Sequence, residues 1–505
     1  YIEEADGLAL AVVTASGSDA DISVVSATGN IDVGFVSTTG NVSLTASAGS
    51  LVDDGDPGTL IMADALTLQA AEIGAPGNVL GTNVDSLTAT ATAGGVYIAE
   101  QNGLTLTNVQ ATGGDVAITA QSASLVIGTV AATGSVTLAA DTGSLFSSGT
   151  GTGVSGSSVA LSAQDGIGTV TNFGTATGEA IAVNTAGALT ANVASNSGEI
   201  HLELRNTPTL AAGAITVGSG TGRSGTVLIQ SNGNLDAGAW VPGAISIGAS
   251  NTARVGLVAN GVLTVPSNVG TLTDAPASTL LLRGSTDVVD NDGNPRELTI
   301  AARELFFSSG GVGGAHTLNT TVETLTATVG NNAGLTVNET DDLQVAAVNT
   351  GTGAVSLTAG GAITDAGPGT AITAGDVYLQ AASIGTAGNP LGTNIGLLEA
   401  TSTNGGIHIE EADGLTLAVV NATGSGSDIS VVSATGNIDI GFVSATGDVS
   451  LEASAGSLVD DGDPSSLIMA NALTLTAGTA IGASGAGNEI DTAVNTLTAT
   501  AGNGG

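Results

Sequence analysis

Three short segments of the chain carry aspartates at a spacing that could hold a metal ion. Each places several carboxylates around a glycine, and Ca²⁺ is bound by such clusters of carboxylate and carbonyl oxygens. The distal glutamate of an EF-hand and the glycine-rich nonapeptide of calcium β-rolls are both missing. Since Asp is also an ordinary turn residue, we favour turn structure and keep Ca²⁺ as the one candidate cofactor. The candidate ligands are Asp53, Asp54 and Asp56; Asp287, Asp290 and Asp292; and Asp460, Asp461 and Asp463.

A second candidate site lies in the irregular segment 205–307, which contains every arginine and the single tryptophan of the chain. We consider a contact patch formed by Trp240, Arg283, Arg296 and Arg303. Its partner would be a glycan stacked on the indole, or the acidic face of a neighbouring fibre. The alternative, which we favour, is a degenerate repeat whose arginines are ordinary surface residues.

Catalysis is a third hypothesis. A pair of carboxylates can act as acid and base on a glycosidic bond, which would give Asp290 and Asp292 that role in cleaving a polysaccharide. We nevertheless expect no enzyme and assign no catalytic residue, because most of the acids recur in repeats. The chain has no Cys and no Lys, which excludes disulfides, Cys nucleophiles and Schiff-base chemistry.

The composition limits the partners. The 505 residues include 45 acidic and 6 basic ones, giving a net charge of −39. Nucleic acid is therefore not expected, because phosphate binding needs a basic face. No apolar run approaches the ~18 residues of a membrane span, so we expect no membrane insertion. The hydrophobic fraction of 42% is too high for a disordered acidic tail, and the chain must fold on small aliphatic side chains.

The elements that would position these residues are short strands. Apolar residues alternate with polar ones in stretches such as Ile22–Val24, Ile31–Val33 and Val42–Leu44, and each stretch follows a glycine-containing or polar turn. Alternation indicates strands with one buried face. Five hundred residues of such strands without linkers predict an all-β fold, a right-handed parallel β-helix (β-solenoid) of about 20–22 residues per coil.

Long degenerate repeats divide the chain. Residues 1–68 match residues 408–475 at a constant offset of 407, with 55 identities in 68 positions. We interpret 1–505 as one continuous solenoid with blocks near 1–96, 97–200, 201–335 (irregular), 336–407 and 408–505, the last a near-copy of 1–98. One apolar residue between Gly505 and Tyr1 would restore the internal pattern. We therefore expect the block to continue into a tandem copy or to stack head-to-tail on another subunit.

Four longer phrases recur in these repeats, Gly49–Asp54, Leu66–Leu68, Leu87–Thr90 and Ile384–Thr393. They are similar to repeats in very large bacterial surface proteins, and the alternating strands after Gly-Asn or Gly-Asp turns resemble the stalks of filamentous-haemagglutinin-type adhesins. The resemblance implies export to the cell surface and a role in adhesion or as an extracellular fibre. We expect a structural fibre or stalk segment that binds itself by head-to-tail or lateral contacts. An adhesin that binds a glycan or a host or neighbouring cell surface through 205–307 is the alternative, and a polysaccharide-degrading enzyme is the third.

Overall fold

The chain forms a parallel β-solenoid, as its alternating strands predict. The computed structural model describes residues 1–18, 20–56, 58–149, 151–219, 223–248, 252–292, 296–483 and 489–502. Strands make up 59% of it and helices 1%, with about 22 solenoid turns in total. The predicted all-β fold class is confirmed, while the right-handed winding stays a prediction. Within the described residues, no helix is both long enough and apolar enough to span a membrane.

The chain divides into two compact units. The first comprises residues 1–260 and 271–277. Its strands are β1 (Ile2–Glu4), β2 (Leu8–Ala15), β3 (Ile22–Ser26), β4 (Ile31–Thr38), β5 (Val42–Ala46), β6 (Leu51–Asp53), β7 (Leu60–Ala70), β8 (Leu80–Ala91), β9 (Val96–Glu100), β10 (Leu104–Ala111), β11 (Val116–Ala120), β12 (Leu125–Ala132), β13 (Ser135–Ala140), β14 (Leu145–Ser147), β15 (Gly153–Ser155), β16 (Ser158–Ala163), β17 (Gly166–Ile167), β18 (Thr169–Asn172), β19 (Thr177–Glu179), β20 (Ile181–Asn184), β21 (Leu189–Val193), β22 (Glu199–Leu204), β23 (Ile215–Val217), β24 (Thr226–Ser231), β25 (Leu235–Asp236), β26 (Ile245–Ser246) and β27 (Arg254–Ala259).

The second unit comprises residues 261–270 and 278–505. A short 3₁₀-helix covers Val269–Leu272. The strands of the second unit are β28 (Val262–Val265), β29 (Thr279–Gly284), β30 (Asp287–Asp290), β31 (Glu297–Ala301), β32 (Glu304–Ser309), β33 (His316–Thr321), β34 (Thr324–Val329), β35 (Leu335–Glu339), β36 (Leu343–Asn349), β37 (Val355–Ala359), β38 (Ala362–Asp365), β39 (Ile372–Thr373), β40 (Asp376–Ala381), β41 (Ser383–Ile384), β42 (Leu391–Asn394), β43 (Leu397–Ser402), β44 (Ile407–Glu411), β45 (Leu415–Ala422), β46 (Ile429–Ser433), β47 (Ile438–Ala445), β48 (Val449–Ala453), β49 (Leu458–Asp460), β50 (Leu467–Ala477) and β51 (Thr492–Ala501).

Strands one turn apart pair in parallel and in register. In the first unit, Val116 of β11 lies opposite Val96 of β9 and Val136 of β13, so each turn takes 20 residues. In the second unit, Leu335 lies opposite Val355, again 20 residues on. Like side chains therefore stack on like, and each turn contacts mainly its neighbours.

Some turns are longer than the predicted 20–22 residues. Val159 pairs with Leu189, 30 residues on. The extra chain forms the antiparallel hairpin of β18 and β19, which branches from the stack before β20 resumes it. Insertions of this kind leave the turn above and the turn below in contact, because only the connection between strands is lengthened.

The core is a column of small aliphatic side chains. In β11, Val116, Ile118 and Ala120 are buried, while the two residues between them are only half-buried. The short connections between strands also stack closely on one another from one solenoid turn to the next. A Cβ added to Gly436 would lie 2.3 Å from the backbone nitrogen of Gly414, so this close approach of two turns requires glycine.

Candidate functional site

The two copied acidic turns use their carboxylates to hold their own backbone. The Asp53 carboxylate accepts the Gly55 N–H at 2.8 Å, and Asp54 accepts the Asp56 N–H at 3.0 Å. The second copy repeats this geometry, since Asp460 accepts the Gly462 N–H at 2.8 Å and Asp461 accepts the Asp463 N–H at 3.0 Å. A side chain that bonds the backbone two residues on is the mark of an Asx-turn.

Hydrogen bonds lower the pKa values of two of these turn residues. The Thr59 hydroxyl, followed by the Asp56 N–H, lowers the pKa of Asp54. The Ser465 N–H and hydroxyl lower the pKa of Asp463. Pro57 and residues 293–295, which belong to the sequence motifs, lie outside the described residues. In the part of the chain that is described, no group of three or more metal-ligating side chains is found, and calcium binding at these turns stays a prediction.

Asp287 lies in a buried network instead of a turn. Its carboxylate accepts hydrogen bonds from Arg296 at 2.8 Å, from the Ser309 hydroxyl at 3.0 Å and from the backbone N–H of Val288. The His316 ring nitrogen Nε2 lies 3.0 Å from the same carboxylate. Burial alone would raise the pKa of Asp287, but the bonds from Arg296 and Ser309 lower it further than burial raises it. The network is an ion pair at the start of β30 in which the Asp287 side chain is buried and the Arg296 side chain is partly exposed.

Asp290 and Asp292 are close to each other. The Asp290 carboxylate accepts the Asp292 N–H at 3.2 Å. Burial, and next the proximity of Asp292, raises the pKa of Asp290. A carboxyl with a raised pKa beside a second carboxyl is an arrangement that acid–base catalysis uses, so this pair is the feature on which the catalytic hypothesis depends.

The four residues of the predicted contact patch are divided between the two units. Trp240 belongs to the first unit and is 6% exposed, so its ring face is covered. In the second unit, Arg296 is engaged by Asp287, and Arg303 forms an exposed ion pair with Glu323 at 2.9 Å. Arg283 lies opposite Ser308, at the other end of β32 from Arg303. Within the second unit, Arg296 and Arg303 thus form two separate ion pairs, and the contact patch stays a prediction.

Three buried glutamates form a repeated feature whose role the sequence did not reveal. Glu100, Glu339 and Glu411 each end a strand, and we call them the corner glutamates. Glu411 is 0% exposed. Its carboxylate accepts the Thr393 hydroxyl at 2.7 Å, the Ile395 N–H at 3.3 Å and the Asp413 N–H at 3.2 Å.

The other corner glutamates repeat these contacts. Glu100 accepts the Thr82 hydroxyl at 2.7 Å and the Val84 N–H at 3.3 Å. Glu339 accepts the Val322 N–H at 2.9 Å. Burial raises the pKa of Glu100 and of Glu411, although the hydrogen bonds lower it in part. Each carboxylate thus satisfies backbone donors of the preceding turn, where the strand bends and the ladder is interrupted.

An open groove follows the outer face of the second unit. Its volume is about 520 Å³, and its lining includes His408, Glu410, Asp428, Ser430 and Asp448. These side chains project from successive turns, so the groove runs across parallel strands. It lies outside the segment 205–307 in which a binding surface was predicted.

The corner glutamates and the copied acidic turns recur along the chain, whereas the Asp287 network and the Asp290–Asp292 pair have no copy among the sites described above. Compared with known proteins, the chain matches no family model, no curated protein sequence and no solved structure.

Proposed function

We propose that the protein is a structural segment of an extracellular fibre or surface stalk, continuing or stacking head-to-tail into a filament. The observation that carries this proposal is the in-register parallel stacking of turn on turn within each unit. A repeat array of this type gains stability from nearest-neighbour contacts, so turns can be added without a new core. Its mechanism is mechanical, with backbone ladders and an aliphatic core joining each turn to the next.

The surface chemistry agrees with a location outside the cell. The net charge of −39 would keep neighbouring fibres apart at low ionic strength. The repeat phrases resemble those of filamentous-haemagglutinin-type adhesins, which are exposed on bacterial surfaces. We therefore propose a bacterial cell-surface location, with copies of the protein itself as the principal partners.

Electron microscopy of the native material, with a denaturing gel, tests this function. We expect filaments with an axial repeat of one 505-residue block. A gel band near 48.0 kDa would indicate stacked subunits, and a band many times larger would indicate a tandem polypeptide. Short isolated rods at every protein concentration would contradict the filament.

A second candidate function is adhesion to an extended glycan. The groove beside His408 and Asp428 favours it, because a volume of about 520 Å³ falls in the range of ligand sites. Binding on a glycan array should fall at least about tenfold in His408→Ala, because an interaction worth ~1.4 kcal/mol is lost. Unchanged binding in that variant, or no glycan bound by the parent chain, would exclude this site.

We propose no catalytic activity. The Asp287 carboxylate is buried and engaged by Arg296 and Ser309, and the aspartates of the copied turns bond their own backbone. A reducing-end assay on acidic and neutral polysaccharides tests this proposal. Product released by the parent chain and lost in Asp290→Asn would overturn it.

A further inference from the structure

At two places in the solenoid, the strands of one turn pair with those of the next in the same register, residue by residue. We call each of these places a joint, and we call its earlier turn the lower and its later turn the upper half. In the first joint, β8 pairs with β9 and with β10, so that Thr82 lies opposite Glu100 and Leu87 lies opposite Leu106. In the second joint, β42 pairs with β44 and β43 pairs with β45, so that Thr393 lies opposite Glu411 and Leu398 lies opposite Leu417. Directly after each leucine pair the register skips one residue of the upper strand. A corner glutamate closes each joint on a threonine hydroxyl and a backbone N–H of the turn below.

The last described strand has the structure of the lower half of such a joint. β51 pairs with β50 as β8 pairs with β7, since Ile468 lies opposite Thr492 where Ile61 lies opposite Thr82. By this register Thr492, Val494 and Leu497 take the places of Thr82, Val84 and Leu87.

The outer edge of β51 is uncovered. Among the described residues this strand pairs only with β50. Leu497 is 53% exposed, whereas its equivalents Leu87 and Leu398 are 1% and 0% exposed. A core position is therefore open along this edge.

The first two strands have the structure of the upper half. Ile2 lies opposite Val24 as Ile98 lies opposite Ile118. β2 and β4 each leave one residue unpaired, Ala11 and Gly34, just as β10 and β12 leave Thr107 and Gly128 unpaired. The sequence Glu4-Ala5-Asp6-Gly7-Leu8 repeats at residues 411–415, which makes Glu4 the equivalent of a corner glutamate.

Within the described residues, Glu4 and its neighbours have fewer contacts than their equivalents in the internal joints. The Glu4 carboxylate accepts only a bond from the adjacent Ala5 N–H, at 2.9 Å, among the contacts of the described residues. Ile2 is 41% exposed, whereas the equivalent Ile98 is 2% exposed. The edge of β51 thus presents the groups that the equivalents of Glu4 and Ile2 contact in an internal joint, and the edge of β1 and β2 presents the groups that the equivalents of Thr492 and Leu497 contact there.

We propose that β51 of one copy pairs in parallel with β1 and β2 of a second copy of this chain, in the register of the internal joints. Thr492 then lies opposite Glu4, Leu497 opposite Leu10 and Ala501 opposite Ala15. The Glu4 carboxylate accepts the Thr492 hydroxyl and the Val494 N–H, and Leu497 enters the core. The joint is heterologous, so it generates an open filament and no closed dimer. It rests on the proposed fibre function and assigns that function its partner and register.

Engineered cysteines test the register directly, because the chain has no Cys. The variant Ala9→Cys/Thr496→Cys places the two thiols opposite each other, as Thr105 lies opposite Ser86. Adjacent strands lie about 4.8 Å apart, within reach of a disulfide. After mild oxidation we expect a ladder of covalent oligomers on a non-reducing gel.

The matched control is Ala9→Cys/Thr500→Cys, in which the thiols are four residues, or about 13 Å, out of register and cannot bridge. We expect at least about tenfold less ladder from it, the ratio that a preference of ~1.4 kcal/mol produces. Equal ladders from both variants, or no ladder from either, would overturn the joint.

A second measurement tests the burial of Leu497 in the proposed joint. Leu497→Asp should abolish end-to-end association in sedimentation equilibrium, whereas Thr498→Asp adds the same charge to the outward face and should retain most of it. Circular dichroism confirms that both variants are folded. Filaments in micrographs without a register-specific ladder would leave the fibre function standing and overturn this joint. Monomers in both experiments would overturn both.

Discussion

At the scale of single residues, the corner glutamates explain how a solenoid with an aliphatic core turns its corners. A buried carboxylate is costly unless it is hydrogen-bonded. Glu411 meets that condition with three donors from two different turns. The carboxylate therefore joins neighbouring turns at a point where the strand ladder provides no partner.

We expect Glu411→Ala to destabilise the turns around it by about 1–3 kcal/mol, because the Ile395 and Asp413 N–H groups lose their acceptor. Amide exchange measured by mass spectrometry should show faster exchange in residues 393–413. Glu410→Ala is the matched control, since Glu410 is the exposed neighbour and should change little. Equal effects of the two variants would contradict the role given to Glu411.

A pH dependence follows from the raised pKa values of Glu100 and Glu411. The folded state binds their protons more tightly than the unfolded state, so their contribution to stability is full below about 4.5 and is lost as pH rises through the raised folded pKa. The urea midpoint of the parent chain should therefore rise from pH 7 to pH 5 relative to Glu100→Gln/Glu411→Gln.

The comparison with the glutamine variant isolates the two carboxyls. Burial lowers the pKa of His201, His316 and His408, which destabilises the folded state on acidification, but it does so equally in both proteins. A constant difference between the two midpoints from pH 7 to pH 5 would contradict the prediction.

The residues show where sequence analysis succeeds and where it stops. Asp53 and Asp460 could be recognised as turn residues, because their hydrogen bonds are local. The Glu-Ala-Asp-Gly-Leu phrase could be recognised as a repeat, but burial of its glutamate could not. The partners of Glu411 lie 16 and 18 residues earlier in the chain, and a single sequence does not show which turn lies beneath which. The burial of Trp240, which the sequence analysis placed in a contact patch, could not be recognised for the same reason.

At the scale of elements, strand type could be predicted because alternation of apolar and polar residues is local. Strand pairing followed from the repeat length wherever turns are regular. It failed between Val159 and Leu189, since nothing in the sequence marks the hairpin of β18 and β19 as an insertion. The glycines between strands are the second local signal, and their role can be tested.

Gly436→Ala should destabilise the second unit by about 1–3 kcal/mol, because its Cβ would meet the Gly414 backbone and force two stacked turns apart. Urea unfolding followed by circular dichroism measures the loss. Gly388→Ala is the matched control, since a Cβ there meets nothing within 4 Å. A loss as large at Gly388 as at Gly436 would show that the conformational freedom of glycine matters and that close stacking does not.

At the scale of the whole molecule, charge opposes the association that the open edges favour. All six arginines lie between residues 205 and 303, whereas the proposed joint brings Glu3, Glu4 and Asp6 toward Asp491. Two molecules that each carry a charge of −39 repel one another over a Debye length of ~30 Å at 0.01 M salt and of only ~8 Å at 0.15 M. Hydrophobic burial and backbone pairing must therefore drive the joint, and salt must strengthen it.

We expect the end-to-end association constant to rise about tenfold, or ~1.4 kcal/mol, between 10 mM and 150 mM NaCl. Sedimentation equilibrium of the parent chain measures it, with Leu497→Asp as the variant that should remain monomeric at both concentrations. Weaker association at the higher salt concentration would mean that ion pairs hold the copies together, which is incompatible with a joint whose two faces are both acidic.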